Sequence, residues 1–124
     1  MTDLQLSIMR VLWDHGRATV AEITAELKPT RDLAPTTVAT LLTRMEKRGD
    51  VGHDSVARQF VYYPKLTEPD VRRSMVSEIT ERLFAGDATA LVSHLLSARE
   101  FSRGDIARVK AMLADYESGK ERRR

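Results

Sequence analysis

Thr36, Thr40, Thr43 and Lys47 recur at intervals of four, three and four residues. At about 100° per residue that spacing puts them on one face of a helix, with Ala39 and Arg44 on its flanks. Threonine is a mediocre helix former, and a solvent face built for stability carries Glu, Lys, Gln or Ala instead. Small hydroxyl side chains with a few cations suit a DNA major groove. They approach closely, donate to phosphate or base edges, and offer a methyl group to thymine. The alternative is a solvated face that is merely threonine-rich. Arg58 lies between two β-prone runs and is either a phosphate contact at a hairpin tip or an ordinary exposed turn arginine.

Other chemistries find little support. His15, His53 and His94 fall in three separate elements, no serine sits in a Gly-x-Ser-x-Gly turn, and no glycine-rich loop precedes a helix at phosphate-binding spacing. No enzyme and no cofactor are therefore expected. His53 and Asp54 are adjacent, but neighbouring strand residues point to opposite faces and two ligands are too few for a metal, so His53 is expected to face solvent. The chain has no cysteine, which removes thiolate catalysis, disulfides and thiolate metal sites.

The 124 residues are 42% hydrophobic and 31% charged, ordinary values for a soluble globular protein. No apolar run approaches the ~20 residues of a membrane helix, and the first residues lack the pattern of a secretory signal, so a cytoplasmic protein is expected. The pI of 9.1 does not itself argue for DNA. Residues 117–124 hold four basic and two acidic side chains, which accounts for the whole net charge of +2, and the remainder carries sixteen of each sign.

The elements that must position these residues are marked by their boundaries. Thr2 with Gln5 has capping-box spacing ahead of a stripe of Leu4, Ile8, Val11 and Leu12, with Trp13 beside them, ending before His15-Gly16. Thr19 with Glu22 repeats the signal ahead of Val20, Ile23 and Leu27, and Pro29 stops a helix of about 20–28. Pro35 suits a first helical position, Val38, Leu41, Leu42 and Met45 form a stripe, and Gly49 closes a third helix over 35–48. Val51 to Asp54, a break at 55–58 and Gln59 to Tyr63 read as one two-stranded hairpin. A short helix, a turn, a longer helix with a small polar outer face and then a hairpin is the order of a winged helix-turn-helix.

The second half reads as three further helices, with Val71, Met75, Ile79 and Leu83 on the first, Leu91 and Leu95 on the second, and Ile106, Val109 and Leu113 on the third. One-sided stripes with no second core call for a partner, and a second copy is the economical one. Met75, Phe84 and Met112 are either packing residues or the lining of a ligand pocket. The fold expected is thus mainly α with a small β-hairpin wing: a winged helix-turn-helix at 1–66, a helical dimerisation region at 67–118, and a disordered basic tail at 119–124. Because winged helices also serve as protein scaffolds, a protein-interaction module without DNA binding stands as the second reading.

The runs Leu4 to Trp13, Val20-Ala21-Glu22-Ile23, Ala34 to Met45 and Phe60-Val61-Tyr62-Tyr63-Pro64 resemble the penicillinase repressor (BlaI/MecI) family over nearly the whole chain. The resemblance implies a homodimeric repressor of antibiotic-resistance and related genes whose two winged domains bind a palindromic operator. It assigns DNA contact to Thr37, Thr40 and Arg44, with Thr36 and Thr43 nearby. It also implies a membrane sensor protease as inducing partner, cutting in the dimerisation half, although residues 91–101 carry no recognisable cut site. A copper-responsive branch of the family uses C-terminal cysteines, which this chain lacks.

Overall fold

The computed structural model describes residues 1–98 and 101–122. The elements run α1 (Asp3–His15), β1 (Ala18–Thr19), α2 (Val20–Leu27), α3 (Pro35–Arg48), β2 (Val51–Val56), β3 (Gln59–Pro64), α4 (Glu68–Phe84), α5 (Ala88–Ser97) and α6 (Arg103–Arg122). The chain divides into two compact units, Met1–Val76 and Ser77–Arg124.

In the first unit, local chemistry sets the helix ends. Thr2 and Thr19 each accept from the backbone N–H three residues on, while Gln5 and Glu22 reach back to the cap backbone, so both capping boxes are complete. Each such cap is worth about 1 kcal/mol. Helix α1 stops at Gly16 (φ 80°) and α3 at Gly49 (φ 90°), left-handed positions that glycine adopts without penalty. Pro35 opens α3 behind Ala34, which supplies no side-chain cap.

The core is one cluster, with Ile8, Met9 and Leu12 of α1, Ile23 and Leu27 of α2, Val38, Leu42 and Met45 of α3, and Ala18, Val51 and Tyr62 of the strands. Trp13 packs against it and donates its indole N–H to the Leu66 carbonyl at 2.8 Å. Arg48 turns back to Asp50 (2.6 Å) and Gln5 (3.2 Å), satisfying a nearly buried carboxylate.

The sheet has three strands where the sequence suggested two. Its order is β1-β3-β2, all antiparallel, with Ala18 opposite Tyr62 and Thr19 opposite Val61. Strand β1 is only two residues long, and it gives β3, the central strand, a second partner, which a lone hairpin needs. The hairpin turn is tighter than the expected four-residue break. Ser55 and Val56 continue β2, Val56 pairs with Gln59, and Ala57 and Arg58 make a two-residue turn with φ of 49° and 67°. Gly52 lies directly against Tyr63, where a β-carbon would sit 2.6 Å from the phenol oxygen.

The unit boundary falls ten residues beyond the expected 66/67 division, because the first turns of α4 belong with the first unit. Val71, expected at a dimer interface, is 4% exposed and has no apolar surface left to give a partner. In the second unit, Ala85 and Gly86 break the helix at positive φ, Asp87 caps α5, and Ser102 with Asp105 closes a capping box on α6. Helix α6 continues to Arg122 through the segment expected to be a disordered tail; Arg123 and Arg124, like Arg99 and Glu100 of the 91–101 stretch, lie outside the described residues.

Candidate nucleic-acid interface

Helix α3 buries Val38, Leu42 and Met45 completely, and the opposite side carries the residues singled out above. Thr36, Thr37, Thr40, Thr43, Arg44 and Lys47 are all exposed, and Ala39 is half-buried at the edge. The structure therefore brings six of the seven candidate contact residues onto one helix surface. The seventh, Arg58, is exposed at the tip of the hairpin.

The hydroxyls on this face are not all equivalent. Thr40 donates to the Thr36 carbonyl at 2.9 Å and Thr43 to the Ala39 carbonyl at 3.0 Å, four residues back in each case. Their protons are thus spent on the helix, and what they present outward is a methyl group and an acceptor oxygen. Thr36 and Thr37 make no such bond among the described residues, so they keep a donor to offer beside the uncapped start of the helix. Among the described residues Arg44, Lys47 and Arg58 have no ion-pair partner. The neighbouring Arg48, by contrast, is held by Asp50, and Arg17 pairs with Asp54. Arg44, Lys47 and Arg58 are thus left available to an anionic partner.

His53 departs from expectation. Its side chain is 28% exposed, not solvent-facing: Nδ1 pairs with the Glu46 carboxylate of α3, and its ring stacks on Phe60 with centroids 4.1 Å apart and lies 5.5 Å from Tyr62. Beneath it the Tyr62 phenol is pushed up by burial and, secondarily, by the negative charge of Glu46. On the opposite face of β2, Asp54 holds Arg17, whose guanidinium lies 5.4 Å from the Tyr63 ring centre. Spacing alone could not show these partners, since they come from α3 and from the loop after α1. Beyond the first unit, His94 sits 6.0 Å from Phe84 and Met112 is 64% exposed. Among the described residues no group of three or more His, Cys, Asp or Glu is placed to hold a metal, and no helix is long and apolar enough to cross a membrane.

The second unit has an open apolar surface instead of a core. No residue after Val71 is buried among those described, and Ile79 (45% exposed), Leu83 (72%) and Leu113 (57%) stand out on their helices. Met75, Leu91, Leu95, Ile106 and Val109 are half-buried.

The family model described as Penicillinase repressor matches residues 1–115. The chain is similar to a penicillinase repressor of Bacillus licheniformis, 27% identical over 121 residues that cover 98% of this chain and 94% of that one. It is also similar to the methicillin resistance regulatory protein MecI of Staphylococcus aureus, 22% identical over 91% of this chain and 92% of the relative. The solution structure of the DNA-binding domain of the repressor BlaI superposes with a TM-score of 0.51 at 36% identity, covering 56% of this chain and 85% of that domain.

Proposed function

The chain belongs to the penicillinase repressor family, and from that premise we propose that it represses transcription as a homodimer, each copy placing α3 in the major groove of one half of a palindromic operator. The observation that carries the reading is the outer face of α3: small hydroxyl side chains and the unpaired cations Arg44 and Lys47, on a helix whose other side is wholly buried. Arg44 and Lys47 reach phosphates or base edges, the threonine methyl groups read thymine, and Arg58 contacts the backbone from the wing. The likeness of the first unit to a repressor's DNA-binding domain supports the same assignment.

Dimerisation is supported by the exposed apolar positions Ile79, Leu83 and Leu113, together with the half-buried Leu91, Leu95, Ile106 and Val109 of a unit with no fully buried side chain among its described residues, and by the half-buried Met75 at the end of the first unit. Two half-sites one DNA turn apart, about 34–36 Å, then bind together with an avidity that a single unit lacks. The regulated genes are of the β-lactam-resistance type that the relatives' names describe.

The test is a fluorescence-anisotropy titration of the protein against the promoter of its own gene and a scrambled duplex of equal length, at two salt concentrations. Selective, salt-sensitive binding of two chains per site is expected. Indifference to both duplexes would overturn the reading in favour of a winged-helix scaffold for another protein.

A further inference from the structure

We infer that His53 is a positioning residue that clamps the wing to the recognition helix and thereby sets where Arg58 stands relative to Arg44 and Lys47. The inference rests on the proposed DNA-binding role and adds to it a residue that touches no DNA. Towards the start of α3 the wing is not tightly packed: a crevice of about 290 Å³ lies between Val20, Pro35, Gln59 and Phe60. Towards the end of α3, the reverse holds. Glu46 reaches His53, and the imidazole lies flat on Phe60, which comes from the other strand and is itself 49% exposed. One side chain therefore joins α3, β2 and β3, one residue before β2 becomes wholly exposed.

The geometry explains an otherwise uneconomical arrangement. Glu46 is an anion on the helix that carries the candidate phosphate-binding cations, one residue from Lys47, where it opposes DNA approach. Pairing with His53 turns that carboxylate inward and gives it a mechanical use. The opposite face of β2 is held by Asp54 and Arg17, so the hairpin is gripped from both sides at consecutive residues. Beyond them, among the described residues, no side-chain hydrogen bond or ion pair holds residues 55–59, and the tip rests on the ladder between the strands.

Two measurements on the full-length chain test this. The absence of native cysteine allows spin labels at Thr43→Cys and Val56→Cys, both exposed positions, without background. With His53 present a single narrow distance is expected, and His53→Ala should broaden or shift it, with His53→Gln, which keeps a hydrogen bond to Glu46, in between. An unchanged distribution would overturn the clamp whether or not the protein binds DNA. The second measurement is a double-mutant cycle on the duplex from its own promoter. Arg58→Ala should lower the slope of log affinity against log salt by about 1 for each wing, hence about 2 for two chains on one duplex, in the wild type and by much less in the His53→Ala background. An equal loss in both backgrounds would refute the positioning role, since a merely structural His53 leaves the Arg58 contact intact. Circular dichroism confirms that each variant is folded; where His53→Ala is not, His53→Gln goes through the same cycle. Failure of the wild type to bind any duplex would overturn the proposed function and with it the DNA role of His53, leaving the label distances to judge the clamp itself.

Discussion

Replacing Arg58 by Gly should make the protein more stable and a poorer DNA binder at once. Ala57 and Arg58 both occupy positive φ, at 49° and 67°, in a two-residue turn where Asn-Gly or Asp-Gly is the usual choice. A non-glycine residue in that region carries roughly 1–2 kcal/mol of steric cost. Glycine removes it but gives the unfolded chain extra freedom worth about 0.4–1 kcal/mol, so the net gain lies between about 0 and 1.6 kcal/mol. For a unit of this size that raises the melting temperature by a few degrees, at about 4–8 °C per kcal/mol. Loss of one phosphate contact of about 1 kcal/mol lowers affinity roughly five-fold per wing, and two wings per operator bring this to about thirty-fold, with the salt slope reduced. Calorimetry and anisotropy on the same preparation read both signs, and Arg58→Lys, which keeps charge and strain, should move neither far. Unchanged affinity and slope in the glycine variant would refute Arg58 as a contact; a lower melting temperature would refute the strain argument.

Arg44→Ala should weaken binding to the promoter duplex while leaving helix content unchanged, because the side chain is exposed and unpaired; an unaltered gel-shift titration would remove it from the interface. Leu113→Asp, at a position 57% exposed, should yield monomers in sedimentation with the first unit still folded, and a dimer that persists would exclude that face. Glu22→Gln keeps the capping box but removes a titration. Hydrogen bonds from Thr19 hold the Glu22 carboxyl below its ordinary value of 4.5, so the ionised cap stabilises the fold above that pH and the contribution is lost as pH falls through the lowered value. Urea midpoints of wild type and variant should accordingly separate near about pH 6 and converge towards about pH 3; curves that stay parallel would refute the assignment.

What could be read from the sequence was what local chemistry decides. The capping boxes at Thr2 and Thr19, Pro35 at the start of α3, and Gly16 and Gly49 at helix ends each act within one turn, and the outer face of α3 follows from periodicity alone. What was hidden depends on contacts across the chain. Strand β1 exists because Ala18 meets Tyr62, forty-four residues on, and nothing about Ala18-Thr19 announces a strand. The turn at Ala57-Arg58 was concealed because neither residue is the glycine that positive φ usually selects. His53 looked solvent-facing since its partners, Glu46 and Phe60, come from other elements. Val71 shares its four-residue rhythm with Met75, Ile79 and Leu83, yet the first turns of α4 are absorbed into the winged unit.

If a second copy covers it, as proposed, the open apolar surface of the second unit ties the protein's persistence to its abundance. A half without a buried side chain of its own gains little from folding alone. With a second copy as its cover, its folding becomes a second-order process whose midpoint rises with chain concentration. Operator occupancy then depends on roughly the square of the amount of free chain at low dose, since assembly precedes tight binding. A modest fall in synthesis, or the removal of one copy from each pair, lifts repression more steeply than the loss of protein alone. The switch would be sharpened by assembly without any inducer-binding site.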